Sequence, residues 1–141
     1  MKHLLFAVAA ILMLSCEAEG DLTRREIGSL PIGAGAERLY SGTFSGTPGI
    51  EASGTAAIIR DGDDIKLSFE YFLISAGPDL KVYLSTSASP DTFINLGALG
   101  NGMTQNYAVP PGVDFSLYNH VLIHCQQYNH LYAVAHLNPE E

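Results

Sequence analysis

Cysteine is almost missing from this chain: there are two in 141 residues, Cys16 and Cys125. That excludes a disulfide-stapled framework and a cysteine-rich zinc module, and with no C-x-x-C-H the chain cannot hold a covalently attached haem. Basic residues are scarce too, with seven Lys and Arg against fifteen Asp and Glu and a formal net charge of −8. Phosphate contacts need clustered cations, so no nucleic-acid partner is expected. No stretch keeps a 3.6-residue apolar period with caps, which excludes a helical bundle. No apolar run reaches the about 20 residues that a bilayer-spanning helix needs.

What is present begins with "MKHLLFAVAAILMLSC": Lys2 and His3, an apolar stretch from Leu4 to Leu14, then Ser15 and Cys16. This pattern predicts a signal segment over residues 1–15. The L-S-C ending resembles the lipobox of bacterial lipoproteins, in which the cysteine is diacylated and becomes the first residue. Acyl chains contribute about 0.8 kcal/mol per buried methylene, enough in pairs for stable anchoring. The expected location is therefore outside the cytoplasm, with the chain held to the membrane of a bacterial cell envelope through Cys16. Glu17 suits the outer membrane or cell surface. Acylation or cleavage would remove Cys16 as a partner, leaving Cys125 an odd thiol where disulfides form.

Residues 16–37 mix charge, Gly and Pro without a period, as a flexible tether would. From residue 38 to residue 137 the texture changes to short runs of β-branched and aromatic residues between turn residues. "LYSGTFSG", "SGTAAIIR", "IKLSFEYFLIS" and "LKVYLSTS" read as strands, broken at "DGDD" and "AGPD". Shorter strands are expected near Leu96–Leu99 and Tyr107–Val109. "HVLIHCQQY" and "LYAVAHL" read as a C-terminal hairpin with a tight turn at Asn129–His130. The prediction is one all-β domain, an antiparallel sandwich or barrel, followed by a short tail at 138–141.

The segments "YSGTFSG" (40–46), "SGTAAI" (53–58), "GPDLKVYLS" (77–85) and the run from Leu96 to Leu137 ending in "VLIHCQQYNHLYAVAHL" resemble the DM-thirteen domain, often called the electron-transfer DM domain. The resemblance implies a β-sandwich-like fold and a near-constant cysteine, matched here by Cys125. It also implies redox or electron-transfer work, as a bare thiol or as a ligand to a prosthetic group such as non-covalent haem. Two positions depart from the family pattern. His124 stands where tryptophan is common, and Ala133 stands where the last strand usually has glycine.

Side chains alternate along a strand, so Cys125 and His124 are expected on opposite faces. A turn at Asn129–His130 would set Cys125 opposite Val134 and His136 opposite Ile123. Cys125, Val134 and His136 would then share a face, which makes His136 the candidate to tune the thiol. Cys125 is the redox candidate, and Cys125 or His124 the candidate cofactor ligand. His120 and His124 are four residues apart, about 13 Å along a strand, too far for one ion, so no metal site is expected.

These readings converge on an envelope redox or electron-transfer module using Cys125, not a stand-alone enzyme. It would meet the membrane through its lipid, and an envelope redox or other protein partner through its surface. Two alternatives stay open: a non-catalytic module binding haem, sugar or protein, and a structural envelope lipoprotein with an inert thiol.

Overall fold

A computed structural model describes residues 27–141; residues 1–15, expected to be a signal segment, and Cys16 lie outside the described residues. Nine strands follow one another: β1 (Glu37–Gly46), β2 (Ala52–Asp61), β3 (Asp64–Ile74), β4 (Leu80–Ser85), β5 (Phe93–Ala98), β6 (Gln105–Ala108), β7 (His120–Cys125), β8 (His130–His136) and β9 (Asn138–Pro139). No helix occurs among the described residues.

The strands form one antiparallel sheet in the order β5-β4-β7-β8-β1-β2-β3-β6, nearly closed into a barrel, as the sequence predicts. β1 makes the corner. Its first part pairs with β2 from Glu37 to Thr43, and its last three residues pair with β8 through Phe44, Ser45 and Gly46. Gly42 permits the crossing, because a Cβ there would sit 2.0 Å from the carbonyl oxygen of His136. The open seam lies between the edge strands β5 and β6, where the connecting chain bridges it: the Gly100 amide donates to the Tyr107 hydroxyl at 2.8 Å.

Alternation fills the interior. Val121, Ile123 and Cys125 of β7 point inward with Val82 and Leu84 of β4 and Ala133 and Ala135 of β8. Phe44, Phe69 and Phe72 close the other side of the core, with ring centres 4.9–5.0 Å apart. Phe44 meets Phe69 and Phe72 edge to face, and such aromatic contacts add to the aliphatic burial around them.

Two stretches expected outside the domain are held against it. Within the 16–37 tether, the Asn106 amide donates to the Gly28 carbonyl at 2.6 Å, and the Gly33 amide donates to Asp61 at 2.9 Å. Asp61 also accepts from Lys66 Nζ at 2.8 Å. In the 138–141 tail, β9 pairs with Tyr40 and Ser41 of β1.

Candidate functional site

Cys125 is the last residue of β7, at one end of the barrel, where β7 gives way to the exposed turn Gln126–Asn129. It is 1% exposed and belongs to the apolar core. Its Sγ–H donates to the carbonyl oxygen of Pro78 at 3.0 Å. Pro78 lies in the turn before β4 and is itself exposed, so the thiol sits one residue beneath the surface. The Gln126 amide donates to the Asp79 carbonyl at 3.1 Å, a second bond between this turn and the end of β7. Asp79 adopts φ +53°, a left-handed turn conformation, and its carboxylate pairs with Lys81 at 2.9 Å. Tyr132 is 8% exposed and packs on Gly77 so closely that a Cβ there would meet its hydroxyl at 2.5 Å.

The hairpin register differs from the one expected. The turn is four residues long, Gln126–Asn129, with Asn129 at φ +47°, and a bulge falls between Ile123 and His124. Cys125 therefore pairs with His130 rather than Val134, and His136 pairs with His120 rather than Ile123. The displacement beyond the bulge is three positions, an odd number, so His136 changes face. It lies exposed on the outer face, away from the thiol it was expected to tune. The histidine in the thiol's row is His130, also exposed.

His124 faces away from Cys125, as alternation requires, so the two cannot ligate one group. It is 4% exposed, its Nε2 lies 3.0 Å from the Asn129 amide oxygen, and its ring lies 5.5 Å from that of Tyr83. With that oxygen as acceptor, Nε2 carries the proton, and the buried Nδ1 has no partner. Tyr83 stacks on Phe93 at 4.1 Å. Burial pushes its phenol above the ordinary tyrosine value, and the nearby Lys81 charge opposes that shift.

The surroundings do not fit haem on Cys125 or His124. The sulfur is enclosed by core side chains and bonded to a backbone carbonyl, leaving no slot for a macrocycle. Surface hollows of about 270, 330, 510 and 300 Å³ have neither Cys125 nor His124 in their walls. Among the described residues, no three His, Cys, Asp or Glu side chains are grouped to hold a metal ion.

Sequence reading missed the Pro78 carbonyl, Tyr132 and His130. "GPD" is legible as a turn, but nothing in it says that the turn folds over the thiol. The four-residue loop was open to inference, since asparagine is a favoured non-glycine residue at positive φ.

The family model described as Electron transfer DM13 matches residues 44–137. No curated protein and no solved structure matches the chain.

Proposed function

Because the chain belongs to the Electron transfer DM13 family, we propose that it is an electron-transfer module of the bacterial cell envelope, anchored by lipid on Cys16 and working through the thiol of Cys125. The observation that carries this reading is the contact between Cys125 and Pro78. Two segments on which the family resemblance rests, the "GPDLKVYLS" turn and strand and the cysteine strand, meet at that pair of atoms.

With Cys16 acylated, Cys125 has no partner sulfur in its own chain. The chemistry open to it is exchange with a partner protein's disulfide. The Cys125 thiolate attacks one sulfur of that disulfide, a mixed disulfide forms, and the other sulfur leaves as thiolate. A thiolate of a second partner then attacks the mixed disulfide and releases Cys125 as thiolate, so the electron pair passes from that second thiol to the sulfur that left. In the folded domain the Gly77–Asp79 turn covers the sulfur, so exchange requires that turn to lift while the barrel stays closed. Two hydrogen bonds from the end of β7 hold it, far fewer than hold a central strand.

A second reading is favoured by one observation, the 1% exposure of the sulfur. Reactive thiols have partial exposure, and buried ones pack as small hydrophobes. On that reading the domain is a non-catalytic envelope module with an inert cysteine.

Disulfide-reagent labelling of the folded full chain at increasing urea separates the two. Opening of the turn alone exposes little surface, so the labelling rate should be nearly independent of urea. A rate that follows the full equilibrium m-value at every urea concentration means that the thiol reacts only on global unfolding, and the exchange reading falls. Mass spectrometry of the native N-terminus tests the anchor: an unmodified Cys16 would overturn it.

A further inference from the structure

The outer face of the β7–β8 hairpin carries two histidines that the register sets directly opposite each other. His120 and His136 are paired residues of neighbouring strands, and their ring centres are 4.7 Å apart with 30° between the planes. We propose that His120 and His136 form a two-imidazole site for a divalent transition cation of the copper–zinc group, completed by water.

The spacing suits shared coordination. With metal–nitrogen bonds of about 2 Å, two neighbouring imidazole ligands place their ring centres roughly 4.5–5 Å apart. A second observation concerns the ring nitrogens. His120 Nδ1 lies 2.7 Å from the Asn119 side-chain oxygen, so Nδ1–H donates to it and Nε2 carries the free lone pair. A carbonyl oxygen on the far nitrogen is the usual outer partner of a metal-bound histidine; it fixes both tautomer and ring direction.

His120 is half-buried. His136 and Asn119 line a surface hollow of about 300 Å³ together with Tyr40 and Phe115, and His120 lies outside its walls.

Imidazole donors without thiolate or carboxylate favour copper, nickel and zinc over magnesium or calcium, and the general affinity order puts Cu(II) highest. His120 and His124 stand four residues apart on one strand, about 13 Å, too far to share one ion. Only the cross-strand register brings His136 to His120. The site lies on the outer face, whereas Cys125 points into the core, and it stands independently of the thiol chemistry.

The test is a titration of the full chain in detergent with Zn(II), which a thiol cannot reduce, followed by calorimetry. Histidine ring resonances under trace Cu(II) supply a second measurement. We expect one saturable Zn(II) equivalent and selective broadening of the His120 and His136 rings. His136→Ala should weaken Zn(II) at least tenfold, as should His120→Gln, while His130→Ala should change nothing. Exposed His136 can be replaced without disturbing the core, so loss of folding does not confuse the result. The proposal is overturned by absence of saturation, by unchanged affinity in His136→Ala, or by broadening centred on other residues.

Discussion

The sulfur of Cys125 and the carbonyl oxygen of Pro78 lie 3.0 Å apart, joining the end of β7 to the turn before β4 across 47 residues of sequence. Pro78 is exposed and Cys125 is not, so the bond spans the boundary between core and surface. Serine at position 125 keeps a donor for that carbonyl but brings a more polar group into an apolar pocket. Cys125→Ser should cost about 1 kcal/mol, the usual net worth of one hydrogen-bonded polar group. Cys125→Ala loses the sulfur's packing and should cost about 1–2 kcal/mol, at the low end for truncation in a core because only one heavy atom goes. Urea midpoints at unchanged m-value would check both; a Ser variant much less stable than Ala would mean that the hydroxyl fails to reach Pro78.

Gly77→Ala tests whether the turn is the route to the thiol. The added Cβ would meet the Tyr132 ring at 2.5–2.6 Å, so ring or turn must shift. The labelling rate of Cys125 in the folded protein should rise beyond the tenfold that each 1.4 kcal/mol of lost global stability would give. A rate that merely tracks global stability would show that the route lies elsewhere.

Much of this architecture was legible because strand alternation is a strong signal. Leu67 and Phe69 on β3, and Val82 and Leu84 on β4, declare their inward faces in sequence, and all four are buried. The C-terminal hairpin was legible as a pair of strands but not in register. Loop length and the bulge beside Ile123 are settled by how Tyr132 packs on Gly77 and how β8 joins β1, contacts remote in sequence. A register error leaves each strand's own alternation intact while changing every cross-strand neighbour. For this reason the opposite faces of Cys125 and His124 were predictable, and the histidine partner of Cys125 was not. The match of His120 with His136 was hidden by the same error.

His120 gives stability a pH dependence with a definite sign. Its folded-state pKa lies below its unfolded value near 6.5, because burial and the adjacent His136 disfavour the imidazolium. The unfolded chain therefore binds the proton more readily. The stabilising contribution is complete above the unfolded value and is lost as pH falls through the folded one. Thermal midpoints should be flat above about pH 7.5 and decline on acidification through the histidine range. In His120→Gln the decline should be smaller across that window. The ionisable group facing His120 from the neighbouring strand β8 is His136; Ser85, opposite it on β4, carries no charge. An unchanged decline in His120→Gln would assign it to other groups.

The bulge between β2 and β3 supplies a pair of opposite expectations. Gly54 has φ +109°, and a Cβ there would sit 2.7 Å from the Phe72 Cα and 2.8 Å from the carbonyl oxygens of Glu70 and Tyr71. All three are backbone atoms in paired strands and cannot yield cheaply. Gly54→Ala should therefore cost about 2–3 kcal/mol, from a disfavoured φ together with a displaced strand. Across the bulge, Tyr71 holds φ +53° although it is not glycine, and its ring is 76% exposed. A left-handed conformation costs an ordinary residue about 1–2 kcal/mol, and an exposed ring returns little of that through burial. Asparagine adopts the conformation more readily than tyrosine. Tyr71→Asn is expected to hold stability or raise it by up to about 1 kcal/mol in urea unfolding, despite removing a large aromatic side chain. A loss of 1 kcal/mol or more would show that the Tyr71 ring contributes packing that outweighs its backbone strain.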